Sequence, residues 1–290
     1  MPVCDVREVV TQHLPGYRVE SVVPAGDGLQ NVAFEVNGEL IVRFSTEPDP
    51  ARRTDLITRE ADLLATVAGL TPLAVPVPRF TAAEAGCLAY GRIPGAPLID
   101  VPEEQRLAHG PWVAETLGEL LTALHSAPVE RMAALVEADD VPLEDWRDEA
   151  AETYATVAAH VPPAYRRAVS AFLRTAPPAA GYAPVFTHND LGVEHVLVDA
   201  WAVTGVIDWS DAAIADPARD FGKLYRDLGP AAVDAAVRTY RAAADDVATL
   251  IDRAVFYARC GALEDLAYGL ETGRTRYSAK SVTALEWLFA

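Results

Sequence analysis

One stretch in the second half of the chain combines short apolar runs with acidic and imidazole side chains. An apolar run ends in His188-Asn-Asp190, and His195 follows five positions after Asp190. Two further apolar runs then predict a short hairpin that ends at Asp208. Phosphoryl transfer requires a carboxylate that orients a hydroxyl group, together with ligands for a metal ion. The stretch therefore predicts Asp190 as a catalytic carboxylate and His195 and Asp208 as metal ligands.

Each part of this pattern also has a simpler interpretation. His-x-Asp is a common tripeptide, and an acid such as Asp208 often occupies the turn at the end of a strand. In this chain the His-x-Asp tripeptide comes before Asp208, with two strand-like runs between them, and Asp216-Pro-Ala-Arg-Asp220 follows. Because motif matches gain weight from their structural context, the combination favours chemistry over coincidence.

These residues resemble the aminoglycoside and macrolide phosphotransferase family of protein-kinase-like small-molecule kinases. His188-Asn-Asp190 is similar to the family's His-Gly-Asp catalytic loop, with Asn189 in place of the usual glycine. Ile207-Asp-Trp209 is similar to its metal-binding motif, and residues 215–221 are similar to its Asp-Pro-x-x-Asp element. The family often has asparagine where this chain has His195, and histidine at that place is similar to the macrolide kinases.

The resemblance implies an α+β, bilobal, protein-kinase-like fold with a small antiparallel-sheet N-lobe and a larger helical C-lobe. It implies a nucleotide-binding N-lobe at residues 1–94, a hinge at 95–97, and a C-lobe at 98–290 with the catalytic loop and the acceptor site. It also implies Mg²⁺ as the cofactor and ATP or GTP as the phosphoryl donor.

Two glycines, Gly26 and Gly28, lie between the first two strand-like runs of the chain. They precede a strand rather than a helix, which disfavours a dinucleotide-binding turn. Asn37-Gly38 then predicts a two-residue hairpin, because such turns need positive φ at both positions. A glycine pair is most often a plain turn, but between two strands it suits a flap whose backbone lies over nucleotide phosphates.

A predicted helix over residues 52–68 carries one carboxylate in line with its apolar side chains. Glu60 falls on the stripe that includes Leu56 and Leu63, and a carboxylate facing a core needs a cationic partner. Arg43 on the preceding strand is the nearest candidate, and kinases pair a strand cation with a helix glutamate to hold phosphates. The alternative is an exposed Glu60 on a helix whose register drifts.

Other polar residues near these motifs have structural interpretations. His125 ends a predicted helix over 112–125, where packing or capping is more common than catalysis. His188 more often supports a catalytic loop than transfers protons. Asp216 before Pro217 predicts a helix N-cap, and Asp220 predicts a carboxylate that ties a loop.

Composition favours a cytoplasmic enzyme. The chain has no apolar run of about 18 residues and no signal-like N-terminus, so we expect no membrane association. Cys4, Cys87 and Cys260 are scattered, which favours reduced thiols. The net charge of −18 disfavours a nucleic-acid partner and permits a cationic one, although solubility explains such a charge equally well.

The acceptor is the least constrained part of the prediction. Segment 137–152 carries eight acids against one base, which slightly favours a cationic aminoglycoside over a macrolide. Further acids that could contact a cationic acceptor follow Cys260. Alternatively, aromatic residues could line a cavity for a macrolide. The candidate acids are Glu264, Asp265 and Glu271, and the aromatic residues are Trp146, Tyr257, Tyr268 and Trp287.

The sequence thus predicts an O-phosphotransferase that uses a nucleoside triphosphate and acts on a hydroxyl of a small molecule, an antibiotic, to confer resistance. A metabolic kinase for a small alcohol and a non-catalytic nucleotide-binding protein of the same fold are the alternatives. The choice between ATP and GTP, the acceptor's identity and the oligomeric state stay open.

Overall fold

The chain divides into two compact units, each with its own core. A computed structural model of the chain describes residues 6–27, 31–179, 181–242 and 246–290. The first unit consists of Met1–Pro94 and Thr204–Ser210, and the second consists of Gly95–Val203 and Asp211–Ala290.

Ten helices and ten strands occur within these described ranges. The helices are α1 Val6–His13, α2 Pro50–Val67, α3 Glu103–His125, α4 Val129–Met132, α5 Leu143–Val157, α6 Pro163–Phe172, α7 Ala218–Leu228, α8 Pro230–Thr239, α9 Val247–Thr272 and α10 Thr275–Leu288. The strands are β1 Val22–Asp27, β2 Asn31–Val36, β3 Leu40–Ser45, β4 Pro78–Ala82, β5 Cys87–Gly91, β6 Ala96–Pro97, β7 Val185–Thr187, β8 Val196–Asp199, β9 Ala202–Val206 and β10 Ala213–Ala215.

The first unit is built on a five-stranded antiparallel sheet in the order β1-β2-β3-β5-β4. Its β2–β3 hairpin is closed by Asn37 and Gly38, with φ of 55° and 75°, and Val36 pairs with Leu40. The predicted hairpin is therefore confirmed. Positive φ costs glycine little and asparagine less than most residues, which explains this residue pair.

The segment of the predicted glycine flap continues the sheet further than expected. We predicted Gly26 between the first two strands, but β1 runs through Gly26 to Asp27, and Gly26 pairs with Ala33 of β2. The pairing register shifts between Pro24 and Gly26, because proline cannot donate a ladder hydrogen bond. Gly28 lies outside the described residues, so the flap stays a prediction.

Helix α2 begins at Pro50 after the N-cap Asp49, whose side chain accepts a hydrogen bond from Arg52 N. Its buried side chains are Ile57, Leu63, Leu64 and Val67. The expectation for Leu56 was wrong, because this side chain is 44% exposed. Leu63 lies seven positions later on the same side of the helix and is buried, so only the later part of the stripe through Leu56 and Leu63 faces the core.

One segment departs from the expected division of the chain at residue 98. Thr204–Ser210 belongs to the first unit, although its neighbours in sequence belong to the second. Val206 N donates to Ala74 O at 3.0 Å, and Gly205 forms a parallel bridge with Ala74. A Cβ on Gly205 would lie 2.6 Å from Ala74 O, so only glycine allows this approach. This contact brings Asp208 into the first unit.

The second unit is mainly helical and carries short strands beside the predicted catalytic loop. Helix α3 begins at Glu103, continues through Pro111 and the predicted apolar stripe over 112–125, and ends at His125 as predicted. Strand β7 pairs with β10, Phe186 opposite Ile214, and Ala138 bridges Ile214 from the other side. The large buried side chains here include Phe186, Leu117, Leu120 and Phe221. The loop that follows β7 thus starts from a fully buried strand position.

None of the helices in the described ranges has the length and apolar character needed to cross a membrane.

Candidate active site

The loop after β7 has a backbone conformation that few residues adopt. Asn189 has a φ of 70°, and among non-glycine residues asparagine tolerates this region best. His188 is fully buried, and its Nδ1 accepts a hydrogen bond of 3.3 Å from Asp190 N. His188 therefore supports the loop, as the sequence predicts.

Asp220 at the start of α7 ties the same loop to the helix. Its Oδ1 accepts from Asn189 N at 2.8 Å, and its Oδ2 accepts from His188 N at 3.1 Å. His125 donates through Nε2 to the same Oδ2, while its Nδ1 lies 2.8 Å from the hydroxyl oxygen of Tyr240. The predicted role of Asp220 is confirmed, and His125 is a buried supporting residue.

Asp190 lies between two basic side chains. Lys223 Nζ donates to its Oδ1 at 2.6 Å, and His195 Nδ1 lies 3.3 Å from its Oδ2. Burial alone would raise the pKa of Asp190, but Lys223 and then His195 outweigh it and hold the pKa well below the ordinary range. The side chains of Asp190 and Lys223 are 23% and 24% exposed, so the ionised carboxylate still reaches the surface.

Sequence reasoning missed Lys223, although a signal existed. Asp220 and Lys223 are three residues apart in a predicted helix, so they lie on one face of it. Burial would lower the pKa of Lys223, but Asp190 more than compensates and the net pKa is raised. The lysine is therefore a firmly charged partner of the predicted catalytic carboxylate.

A network of buried charges lies beyond Lys223 and fixes the rest of the loop. Asp227 accepts from Val193 N at 3.1 Å and is paired with Arg226 and Lys280. Asp265 Oδ2 lies 3.0 Å from Arg226 Nη1 and 2.8 Å from Lys280 Nζ. Asp265 is therefore engaged inside the protein, which argues against its expected place among the acids that would contact an acceptor.

The other residues predicted to contact an acceptor differ in whether they are exposed or packed against the protein. Glu264 and Glu271 are exposed on α9. Arg219 packs its guanidinium 4.6 Å from the ring of Trp146 and 5.9 Å from that of Tyr257. These two rings are thus covered by a side chain of the protein itself. The other two aromatic candidates are also packed, Tyr268 against Tyr277 at 5.0 Å and Trp287 through a 2.9 Å hydrogen bond to Tyr225 O.

The first unit contains the second group of predicted residues. Arg43 Nη1 and Glu60 Oε1 form a partly buried ion pair of 2.7 Å, which confirms the predicted partnership. Burial would lower the pKa of Arg43, but Glu60, Tyr90 and Asp208 outweigh it and the net pKa is raised. Burial raises the pKa of Glu60, Arg43 opposes this, and Asp208 adds to it. Asp208 thus lies within electrostatic reach of the pair.

Asp208 follows β9 in a left-handed conformation, with a φ of 61°, and Ser210 Oγ donates to its Oδ1 at 2.8 Å. Within the described ranges, no group of three or more His, Cys, Asp or Glu side chains is arranged to hold a metal ion. A phosphate-bound Mg²⁺ needs only one or two protein carboxylates, and the Asp208 oxygens suit that ion. The other predicted ligand, His195, belongs to the second unit.

A sheet with a strand–helix ion pair, and a helical unit whose loop presents an ionised aspartate, are the features of a kinase-like phosphotransferase. The chain belongs to the APH phosphotransferase enzyme family, whose model matches residues 21–256.

Two curated relatives are similar to parts of this chain. Viomycin phosphotransferase of Streptomyces vinaceus is 27% identical over 239 residues, which cover 77% of this chain and 79% of that protein. The uncharacterized protein YcbJ of Bacillus subtilis (strain 168) is 28% identical over 187 residues. That alignment covers 59% of each protein, which is less than two thirds of the relative's length.

Solved structures of antibiotic phosphotransferases share the fold. The GDP and kanamycin complex of APH(2")-IIia matches with a TM-score of 0.71 and 23% identity over 96% of both chains. Macrolide 2'-phosphotransferase MphH from Brachybacterium faecium matches with a TM-score of 0.67 and 25% identity over 96% of both chains. The predicted α+β, kinase-like fold is thereby confirmed.

Proposed function

We propose that the protein transfers the γ-phosphoryl group of a nucleoside triphosphate to a hydroxyl group of an antibiotic, and thereby confers resistance. The observation that carries the proposal is Asp190, a carboxylate kept ionised by Lys223 on a loop that His188 and Asp220 hold in place. A bond forms between the acceptor oxygen and the γ-phosphorus, and the bond from that phosphorus to the β,γ-bridging oxygen breaks. Asp190 orients the hydroxyl and accepts its proton.

The first unit supplies the residues for the nucleotide. Arg43, kept charged and oriented by Glu60, would hold the α- and β-phosphates, and the backbone at Gly26 and Gly28 would cover them. ATP and GTP are both proposed donors, and structures of similar proteins are described as GDP, ADP and ATP complexes.

Mg²⁺ completes the proposed site. When bound, the ion neutralises charge on the phosphate oxygens. Asp208 is the proposed oxygen ligand, and His195 is the second proposed ligand. His195 Nδ1 must donate its proton to Asp190 O at 2.8 Å, since a carbonyl oxygen only accepts. Its Nε2 therefore carries the ring's lone pair when the ring is neutral, which is the pattern of metal-binding histidines.

Replacement of His195 tests the proposed ligand. Because Mg²⁺ accepts amide oxygen, we expect His195→Asn to keep much of the activity, whereas His195→Ala loses at least about 10-fold at low Mg²⁺ and recovers in part at high Mg²⁺. Initial rates over a Mg²⁺ titration measure this. A His195→Ala variant with the metal dependence of the wild type would show that His195 only supports the loop.

For the acceptor, we propose a cationic antibiotic of the aminoglycoside type in preference to a macrolide. The net charge of −18 and the exposed Glu264 and Glu271 support this. Burial raises the pKa of Glu264, and Lys223, which lies within electrostatic reach of it, opposes this. Fewer acids are available to a cationic acceptor than the sequence suggested, because Asp265 and Asp139 are already paired with basic side chains.

A panel assay tests both levels of the proposal. Nucleotide consumption is measured with aminoglycosides, macrolides, viomycin and simple amino alcohols, with Mg²⁺ and either ATP or GTP. For an aminoglycoside, KM should rise steeply between about 0.05 M and 0.3 M salt, since screening weakens the attraction of a multiply charged ligand. Glu264→Lys and Glu271→Lys should raise KM in the same way.

The outcomes separate the alternatives. A salt-independent KM with a macrolide, and no turnover of any aminoglycoside, would refute the acceptor preference. Turnover of a simple amino alcohol alone would indicate a metabolic kinase. Nucleotide binding without turnover of any acceptor would indicate a non-catalytic protein.

A further inference from the structure

Asn189 makes a side-chain contact that the glycine typical of this position could not make. Its Nδ2 donates to Asp139 Oδ2 at 3.1 Å, and only 8% of the residue is exposed. Among the described residues, Asn189 Oδ1 has no hydrogen-bond partner. The orientation of this amide therefore depends on Asp139, and a carboxylate facing an amide fixes which end is the donor.

Backbone hydrogen bonds hold Asp139 against β10, the strand that pairs with β7 at the start of the loop. Asp139 N donates to Ile214 O at 2.9 Å, and Ile214 N donates to Glu137 O at 2.9 Å. Ile214 lies in β10, opposite Phe186 of β7, and Asn189 follows three residues after Phe186. Asp139 and Asn189 thus approach one another from the two sides of β10, Asp139 through its bridge to β10 and Asn189 through the end of β7.

A second contact anchors the Asp139 carboxylate in place. The guanidinium of Arg219 pairs with Asp139 Oδ2 and lies over the ring of Trp146 in α5. Arg219 directly precedes Asp220, which binds the backbone N–H groups of His188 and Asn189. The loop residue before Asp190 is therefore held from its backbone by Asp220 and from its side chain by Asp139.

We infer that Asn189 and Asp139 are positioning residues that fix the Asn189–Asp190 peptide and, through it, the direction of the Asp190 carboxylate. The expected effect on turnover rests on the proposed function. The claim that the two side chains hold the loop in place does not depend on that function. A small displacement of a catalytic group lowers the reaction rate steeply but leaves substrate binding unchanged. We therefore expect the variants to lower kcat and to leave KM nearly unchanged.

An exchange of the two side chains tests the pair. Asn189→Asp alone tolerates the positive φ but places two carboxylates together, so kcat should fall about 10-fold or more, with both KM values within about 2-fold. Asn189→Gly, which removes the side chain, should show a similar fall. Asn189→Asp combined with Asp139→Asn restores one amide facing one carboxylate, and kcat should return to within about 3-fold of the wild type.

Hydrogen exchange of residues 188–195, measured by mass spectrometry, gives a readout that needs no turnover. Exchange should be faster than wild type in Asn189→Asp and Asn189→Gly and should return toward wild type in the double variant. If the wild type turns over no acceptor, the proposed function fails, but this measurement still decides the inference. Unchanged exchange in the single variants, or exchange in the double variant that is no closer to the wild type than in Asn189→Asp, would overturn it.

Asn37→Asp is the matched control. Asn37 also has positive φ, with side-chain hydrogen bonds to Arg18 O, Glu20 N and Ser21 N, but it closes the β2–β3 hairpin. This variant should lower the melting temperature without faster exchange in 188–195, and kcat should stay within about 2-fold. A fall in kcat matching that of Asn189→Asp would show that the effect is a general loss of stability, and would overturn the inference.

Discussion

Asp190→Asn should lower kcat by at least about 10²-fold while nucleotide binding is retained. The amide has the shape of the carboxylate, and its oxygen can still accept from Lys223, but it cannot take the acceptor's proton. The residues proposed for the phosphates, Arg43 and Glu60, belong to the other unit and are untouched. Turnover is measured with the best acceptor of the panel, and nucleotide affinity by calorimetry.

Asp199→Asn is a suitable control for this variant. Asp199 is exposed at the end of β8, so the same chemical change should leave kcat within about 2-fold. Near-normal turnover in Asp190→Asn, together with an unaltered control, would remove Asp190 from the mechanism.

Lys223→Met should produce the second large effect, a change in the pH dependence of kcat/KM. Burial raises the pKa of Asp190, and Lys223 is the largest opposing influence, so its removal should let that pKa rise. In the wild type the depressed pKa keeps Asp190 ionised from about pH 5 to pH 8. In Lys223→Met, the loss of kcat/KM as the pH falls should therefore begin at a higher pH than in the wild type.

Lys223→Arg separates charge from packing. Arginine keeps the positive charge, so this variant should keep the wild-type shape of the pH profile even if its rate is lower. Superimposable normalised profiles for Lys223→Met and the wild type would contradict the proposed role of Lys223.

Several elements of the protein could be predicted because their causes are local. Asn37-Gly38 carries its own turn preference, and the alternation of residues around it predicts the paired strands. Glu60 on an apolar helix face requires a cation, and Arg43 was close enough in sequence to be identified. Asp220 belongs to the recognisable Asp-Pro-x-x-Asp element, and it does tie the loop.

Contacts between distant elements could not be predicted in this way. Lys223 lies 33 residues after Asp190, and its sequence context shows a helix face but not what that face meets. Asp265 appeared available on α9, yet Arg226 of α7 and Lys280 of α10 neutralise it.

The sequence by itself determined the turns, the helix faces and the order of the chemical groups, because these depend on residues within a few positions of one another. Only the tertiary structure decided which acids are paired with basic side chains and which remain available to a ligand. Whether a carboxylate is paired depends on the helices and strands that pack around it. The same reason placed Asp208 with Arg43 and Glu60: the contact between Gly205 and Ala74 joins segments that are 131 residues apart in the chain.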